Sequence, residues 1–229
     1  MEKAHLNRCG ADHRSVWSVI RKLLIVAATT CILPAADAPN QKLVSKTERI
    51  GFPSGGTLRL ARSSGIVTVE AWDRPDVEIT TISSSDEVRT TAERHGNVVV
   101  ITTSPRGQGL AVFDPECRIK APADARLIAD HDMGEVNVEG LTGDIQVTLH
   151  KGEILLQLPQ DARYDIHAQS RFGNVSSEWP GSEQRSWWLL GHRSLNEDSQ
   201  AAHKLNLKVG CGDIVILKTR APAVNKGGG

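Results

Sequence analysis

The segment from His131 to Pro159 restricts the fold more than any other stretch, because it states one short pattern three times. A glycine is followed by an acidic residue and then by alternating apolar positions: Gly134-Glu135-Val136 with Val138, Gly143-Asp144-Ile145 with Val147 and Leu149, and Gly152-Glu153-Ile154 with Leu156 and Leu158. Period-two alternation punctuated by a residue that accepts positive φ is the pattern of half-buried β-strands joined by tight turns. The glycines recur about every nine residues, and two such units would make one coil of a stack. Each unit has an apolar face too small to be stable alone, so neighbours must bury one another. The prediction is an all-β, single-domain β-solenoid or flattened roll, with a β-sandwich as the alternative.

The same grammar flanks this segment. Thr57 to Arg62 and Ile66 to Trp72 read as two strands in a hairpin-like relation about Ser63-Ser64-Gly65. Val77 to Ile82 is rich in β-branched residues, and the continuous run Val98-Val99-Val100-Ile101 reads as a strand covered on both faces. Glu116 to Pro122 is one more strand that ends at its proline. Downstream, Tyr164 to Ala168 and Lys204 to Val209 alternate, while Gly173-Asn174-Val175 and Gly212-Asp213-Ile214 restate the start of the repeat.

The N-terminus reads as a targeting segment. Arg21-Lys22 precedes the apolar run Leu23 to Leu33 and a small-residue site ending at Ala38, the layout of a secretory signal peptide. The run is shorter than the ~20 residues a membrane-spanning helix needs. The predicted organisation is a signal peptide over 1–38, a linker over 39–46, the strand-repeat domain over 47–220 and a disordered tail over 221–229. Export to the periplasm, cell surface or medium follows, and membrane contact is expected only through the N-terminal segment if it stays uncleaved. Lys+Arg and Asp+Glu are equal at 27 each, so no basic excess points to nucleic acid.

Removal of the signal leaves Cys117 and Cys211. In an oxidising compartment they either pair as a disulfide or remain two separate strand thiols. Neither sits in a zinc spacing. The carboxylates Glu135, Asp144, Glu153 and Asp213 form a column that can be imagined on Ca²⁺, but no calcium nonapeptide is present and solvated turn acids are the plainer reading. His131, His150 and His167 lie at unequal offsets from the glycines that follow them, which argues against a metal column. No catalytic triad, nucleophile elbow or phosphate loop is present, so no catalytic, metal or cofactor residue is assigned. Trp179, Trp187 and Trp188 are the candidate binding surface, where aromatic rings can stack on a sugar or dock a protein. Their competing role is to cap the apolar end of the stack.

Leu58 to Asp73, Ile119 to Leu127, the three glycine repeats, Phe172 to Ser177 and Val209 to Ile216 together resemble a family of bacterial adhesin-like domains of unknown function, related to the head domains of autotransporter-like adhesins. The resemblance covers about Thr47 to Leu217 and rests on structural glycines and apolar positions. It implies an exported β-repeat domain without an established active site, acting on a surface glycan or protein partner at the cell envelope. A membrane-attached envelope sensor or regulator, a self-assembling scaffold and a carbohydrate-active β-helix enzyme are the alternatives.

Overall fold

The computed structural model describes residues 44–83, 88–105, 116–186, 191–196, 198 and 200–219. The expected signal peptide, Trp187, Trp188 and the tail lie outside the described residues. Those described form strands and turns with no helix. In chain order the strands are β1 (Val44–Gly51), β2 (Thr57–Trp72), β3 (Asp76–Ser83), β4 (Val88–His95), β5 (Val98–Pro105), β6 (Glu116–Pro122) and β7 (Arg126–Glu139). They continue as β8 (Ile145–Pro159), β9 (Tyr164–Phe172), β10 (Val175–Ser177), β11 (Ser182–Ser186), β12 (Gly191–Asn196), β13 (His203–Cys211) and β14 (Ile214–Thr219).

All 14 join one mixed sheet that runs from β1 at one edge to β11 at the other without closing. Its long strands take part twice. The first half of β2 lies between β5 and β7, with Leu58 opposite Val99 and Leu127. The second half lies between β6 and β7, with Val67 opposite Cys117 and Val136. In β8, Ile145 pairs with Leu127 and Leu205, while Ile154 pairs with Val136 and Ile214. These central pairings are parallel, and the register is continuous except in β2 against β7, where it shifts on either side of Ser63. Strands β7 and β8 match Gly134 to Gly152, an offset of 18 residues, which is the spacing of two of the short units read in the sequence.

What divides each long strand is a glycine. Gly65, Gly134, Gly152, Gly212 and Gly173 have φ of 98°, 127°, 139°, 133° and 152° and succeed one another from strand to strand. A Cβ on Gly134 would run into the Gly65 carbonyl, and one on Gly152 into the Gly134 carbonyl. Only glycine fits both the dihedral and the space. Inward parity switches across this corner: Leu127, Ala129 and His131 are buried before it in β7, Val136 and Val138 after it. In β8 the switch is from Ile145, Val147 and Leu149 to Ile154, Leu156 and Leu158. Both sets belong to a single buried core. The two pieces of β2 are therefore one bent strand, not a hairpin, because Gly65 turns the chain without reversing it.

Gly143 lies at a different corner, in the turn between β7 and β8, where a Cβ would strike the Ala125 carbonyl. The short unit read in the sequence thus alternates two kinds of corner. Two smaller departures accompany this. Strand β1 begins at Val44, inside the stretch expected to be linker, and Val98 and Val100 are half-buried where full cover was expected. The β1 edge carries charge, with Lys46 Nζ 3.9 Å from Glu48 Oε2 and Arg49 Nε donating to Glu78 Oε2 at 2.7 Å. Charged edges resist pairing with another sheet.

Candidate functional site

Strand β10 is three residues long, and the chain then leaves the stack at Glu178. It runs out through the antiparallel pair β11–β12 and rejoins the parallel strands at β13, between β8 and β9. Trp179 stands at the point of departure. It is only 9% exposed, and its ring meets the fully buried Tyr164 edge to face, with centroids 5.7 Å apart and an 86° interplanar angle. Lys218 Nζ lies 5.2 Å from the Trp179 ring centroid, and the Trp179 N–H donates to Ser177 Oγ at 3.2 Å. Of the three tryptophans read as a candidate surface, this one lies against the core.

A cavity of about 460 Å³ opens beside Trp179, bordered by Pro180, Arg163, Asn196, Asp198, Gln200 and Lys218. Arg163 forms its frame: Nε and Nη2 donate to Asp198 Oδ2 and Oδ1 at 2.8 and 3.0 Å, and Nη1 donates to Gln200 Oε1 at 2.9 Å. The Asp198 carboxyl is held below the usual carboxylate range, chiefly by the Gln200 backbone N–H and then by Arg163. Beneath the cavity Tyr164 donates to the Leu141 carbonyl at 3.3 Å, and burial, reinforced by Asp161, pushes its phenol up to about 12.

The repeat carboxylates divide into two groups. Asp144 Oδ1 accepts the Lys204 N–H at 2.9 Å, and Asp213 Oδ1 accepts the Asn174 N–H at 2.7 Å, so these two fasten one strand to the backbone of another. Asp124 does the same, taking Ser54 Oγ–H and the Gly55 N–H on one oxygen, and the Ser54 bond leads in lowering its pKa. Glu135 and Glu153 are neighbours in register and exposed, on the rim of a groove of about 420 Å³ along the glycine corner. Among the described residues no group of three or more His, Cys, Asp and Glu is placed to hold a metal ion.

The histidines separate as well. His150 is exposed, with Nδ1 3.1 Å from Asp132 Oδ1, and His167 Nε2 lies 3.3 Å from Asp165 Oδ1. His131 is fully buried: Nδ1 is 2.7 Å from Ser63 Oγ and Nε2 is 2.9 Å from the Gly65 carbonyl. A carbonyl can only accept, so Nε2 carries the proton and Nδ1 accepts from Ser63. The contact has the geometry of a nucleophile and its base. Ser63 is 2% exposed and neither residue lines either cavity, so the pair fastens the corner from inside. At the far end of the same inward row Ser170 Oγ donates to the Gly212 carbonyl at 2.7 Å. His131 shows in the sequence only through its parity with Leu127 and Ala129. Arg163, Asp198 and Gln200 gave no signal, since they meet through an irregular excursion.

Cys117 on β6 and Cys211 on β13 are not bonded to one another. Strands β2, β7 and β8 lie between them, roughly 19 Å at the usual spacing of neighbouring strands. A disulfide bridges far less. Burial pushes the Cys117 thiol up to about 12 against a weaker opposing bond with Thr81, which makes it a poor nucleophile.

A protein of Clostridium sporogenes, provisionally named a cell adhesion protein, superposes with a TM-score of 0.51 and 15% identity, over 77% of this chain and 100% of that chain. The likeness is one of fold. A provisionally named adhesin of Bacteroides fragilis aligns over 78% of this chain and 99% of that chain, with 10% identity and a TM-score of 0.35. No family model and no curated protein matches the sequence.

Proposed function

We propose that this chain is an exported, non-enzymatic, adhesin-like β-repeat domain that acts by binding a glycan or protein partner at the cell envelope. Its strands then form a β-solenoid, in which the 18-residue offset between β7 and β8 is one coil. The observation that carries the reading is the fold likeness to the Clostridium sporogenes protein over that protein's whole length. Fold alone does not fix function, so the analogy supplies the class and not the ligand. Two further features support it. The sequence before the described residues has the layout of an export signal, and the paired parallel strands form a scaffold on which a recognition site can be held.

The test is fractionation of the native host, with intact mass measured on the recovered protein and adhesion of that protein to whole cells. A mature form beginning at Pro39, outside the cytoplasm and adherent to cell surfaces, is the expected result. A full-length form retained in the cytoplasm, or an exported form that adheres to nothing, sinks the reading.

A further inference from the structure

We propose that the cavity beside Trp179 is a saccharide subsite that takes a neutral pyranose through its hydroxyl groups. The inference rests on the reading of the chain as a binding domain and names the chemistry of its ligand. Three observations carry it.

The first is the lining. Ala162, Trp179, Pro180 and the Tyr164 ring are the apolar part of the lining, and the other six of its ten residues are polar. A lipid chain or a hydrophobic side chain would desolvate those groups without pairing them, which costs binding energy. The second is the charge arrangement. Arg163 is neutralised by a two-point bond to Asp198, and Asp198 stays ionised because the Gln200 N–H and Arg163 stabilise its charge. Lys218 is the one cation of the lining with no ion pair among the described residues, and its ammonium lies against the Trp179 ring, so the Arg163–Asp198–Gln200 array itself adds no net charge. The lining offers mixed donors and acceptors: Gln200 has its Oε1 occupied by Arg163 and its amide NH₂ still to give, and Asn196 supplies an amide of either polarity. A sugar hydroxyl is the ligand group that both donates and accepts.

The third is preorganisation. The Arg163–Asp198–Gln200 bonds fix the polar groups before any ligand arrives, and Trp179 is held edge to face on buried Tyr164. Binding then costs little side-chain ordering. A volume of about 460 Å³ falls within the ~300–1,000 Å³ range of small-molecule sites.

The experiment is saturation-transfer NMR on the full chain as recovered from its host. The probes are the methyl pyranosides of glucose, galactose, mannose and N-acetylglucosamine. Transfer to at least one of them is expected. Asn196→Ala and Gln200→Ala should each weaken that binding tenfold or more while leaving the thermal midpoint unchanged, and both are surface amides whose loss spares the core. No transfer from any of the four, or transfer unaltered in both variants, overturns the proposal, as does capture of a peptide or lipid at this cavity in their place. The two readings fail separately. Adhesion to cells without saccharide binding removes the subsite and leaves the adhesin-like role, whereas saccharide binding by a chain that is neither exported nor adherent does the reverse.

Discussion

At the glycine corner, strand follows strand with bare backbone against bare backbone, and a Cβ at Gly134, Gly152, Gly212 or Gly173 would strike the carbonyl of the preceding strand's glycine. At the corner beneath Trp179 the chain departs from the stack between β10 and β13, and the space it leaves is lined by side chains that do not repeat. The first corner tolerates almost no variation because backbone geometry sets it. The second tolerates much, because side chains furnish it. Rigidity at one and chemical variety at the other is the division of labour expected of a scaffold that carries a site.

The strongest way to break the comparison is to give the glycine corner a side chain. Gly152→Ala places a Cβ against the Gly134 carbonyl at a φ of 139°, where neither partner has room to move. The expected loss is above about 4 kcal/mol, enough to remove cooperative unfolding in a denaturant titration followed by circular dichroism. Gly96→Ala is the matched control. Gly96 also has a positive φ, 61°, but nothing lies within 4 Å of the added methyl, so only the backbone preference is lost, about 1–2 kcal/mol. Equal losses at the two positions would show that the corner column is not the constraint described.

At the other corner Trp179→Ala removes a core ring, and about 3–4 kcal/mol is expected for a large-to-small change of this kind. Trp179→Phe keeps the edge-to-face contact with Tyr164 and should lose roughly half as much. A negligible effect of Trp179→Ala on the denaturation midpoint would mean that the ring does not pack into the core.

The fate of the aromatic cluster shows what the sequence conveyed and what it did not. The glycine-acid-apolar repeat announces short strands at a spacing of about nine residues, and the 18-residue offset of Gly134 to Gly152 is two such units. Alternation is a local property, so it survives without knowledge of partners. Local pattern cannot tell a strand that reverses from one that bends, and Ser63-Ser64-Gly65 reads as a turn for that reason. Its serine is instead buried on His131, a contact made across a long sequence separation. The cavity was less visible still. Arg163, Asp198 and Gln200 obey no period, and their meeting depends on where the excursion after Trp179 returns. Trp179 itself stands out in the sequence, as a binding surface or as a cap over an apolar end, but its contact with Tyr164 does not.

His131 sharpens the comparison within the regular stack, because the next strand carries Leu149 at the same inward position. His131→Leu makes the two alike in packing and strands the Ser63 hydroxyl and the Gly65 carbonyl without their imidazole partner. About 2 kcal/mol of destabilisation is expected, the cost of leaving buried polar groups unpaired. Ser63→Ala added to His131→Leu should recover part of it, a coupling that a double-mutant cycle reads directly. Strict additivity of the two substitutions would deny the bond its role.

The smallest effect separates the two regions by their titration at alkaline pH. Cys117 lies in the stacked core and Tyr164 beneath the cavity, and both acids are held protonated in the folded chain up to about 12. In the unfolded chain the thiol ionises near its ordinary value of 9.0 and the phenol near 10.0. Above those values the folded state holds protons that the unfolded state has given up, so stability must fall as pH rises. Their contributions are intact below pH 9 and are lost progressively towards pH 12, beginning with Cys117 and joined later by Tyr164. Each pH unit past a group's unfolded pKa costs about 1.4 kcal/mol. Cys117→Ala should therefore flatten the decline between pH 9 and 10, whereas Tyr164→Phe should leave that interval alone and flatten the part above pH 10. Denaturation midpoints collected across this range on the two variants test the assignment. A Cys117→Ala profile parallel to the parent from pH 9 to 10 would mean that the thiol reaches solvent and that the stacked core is open where the structure closes it.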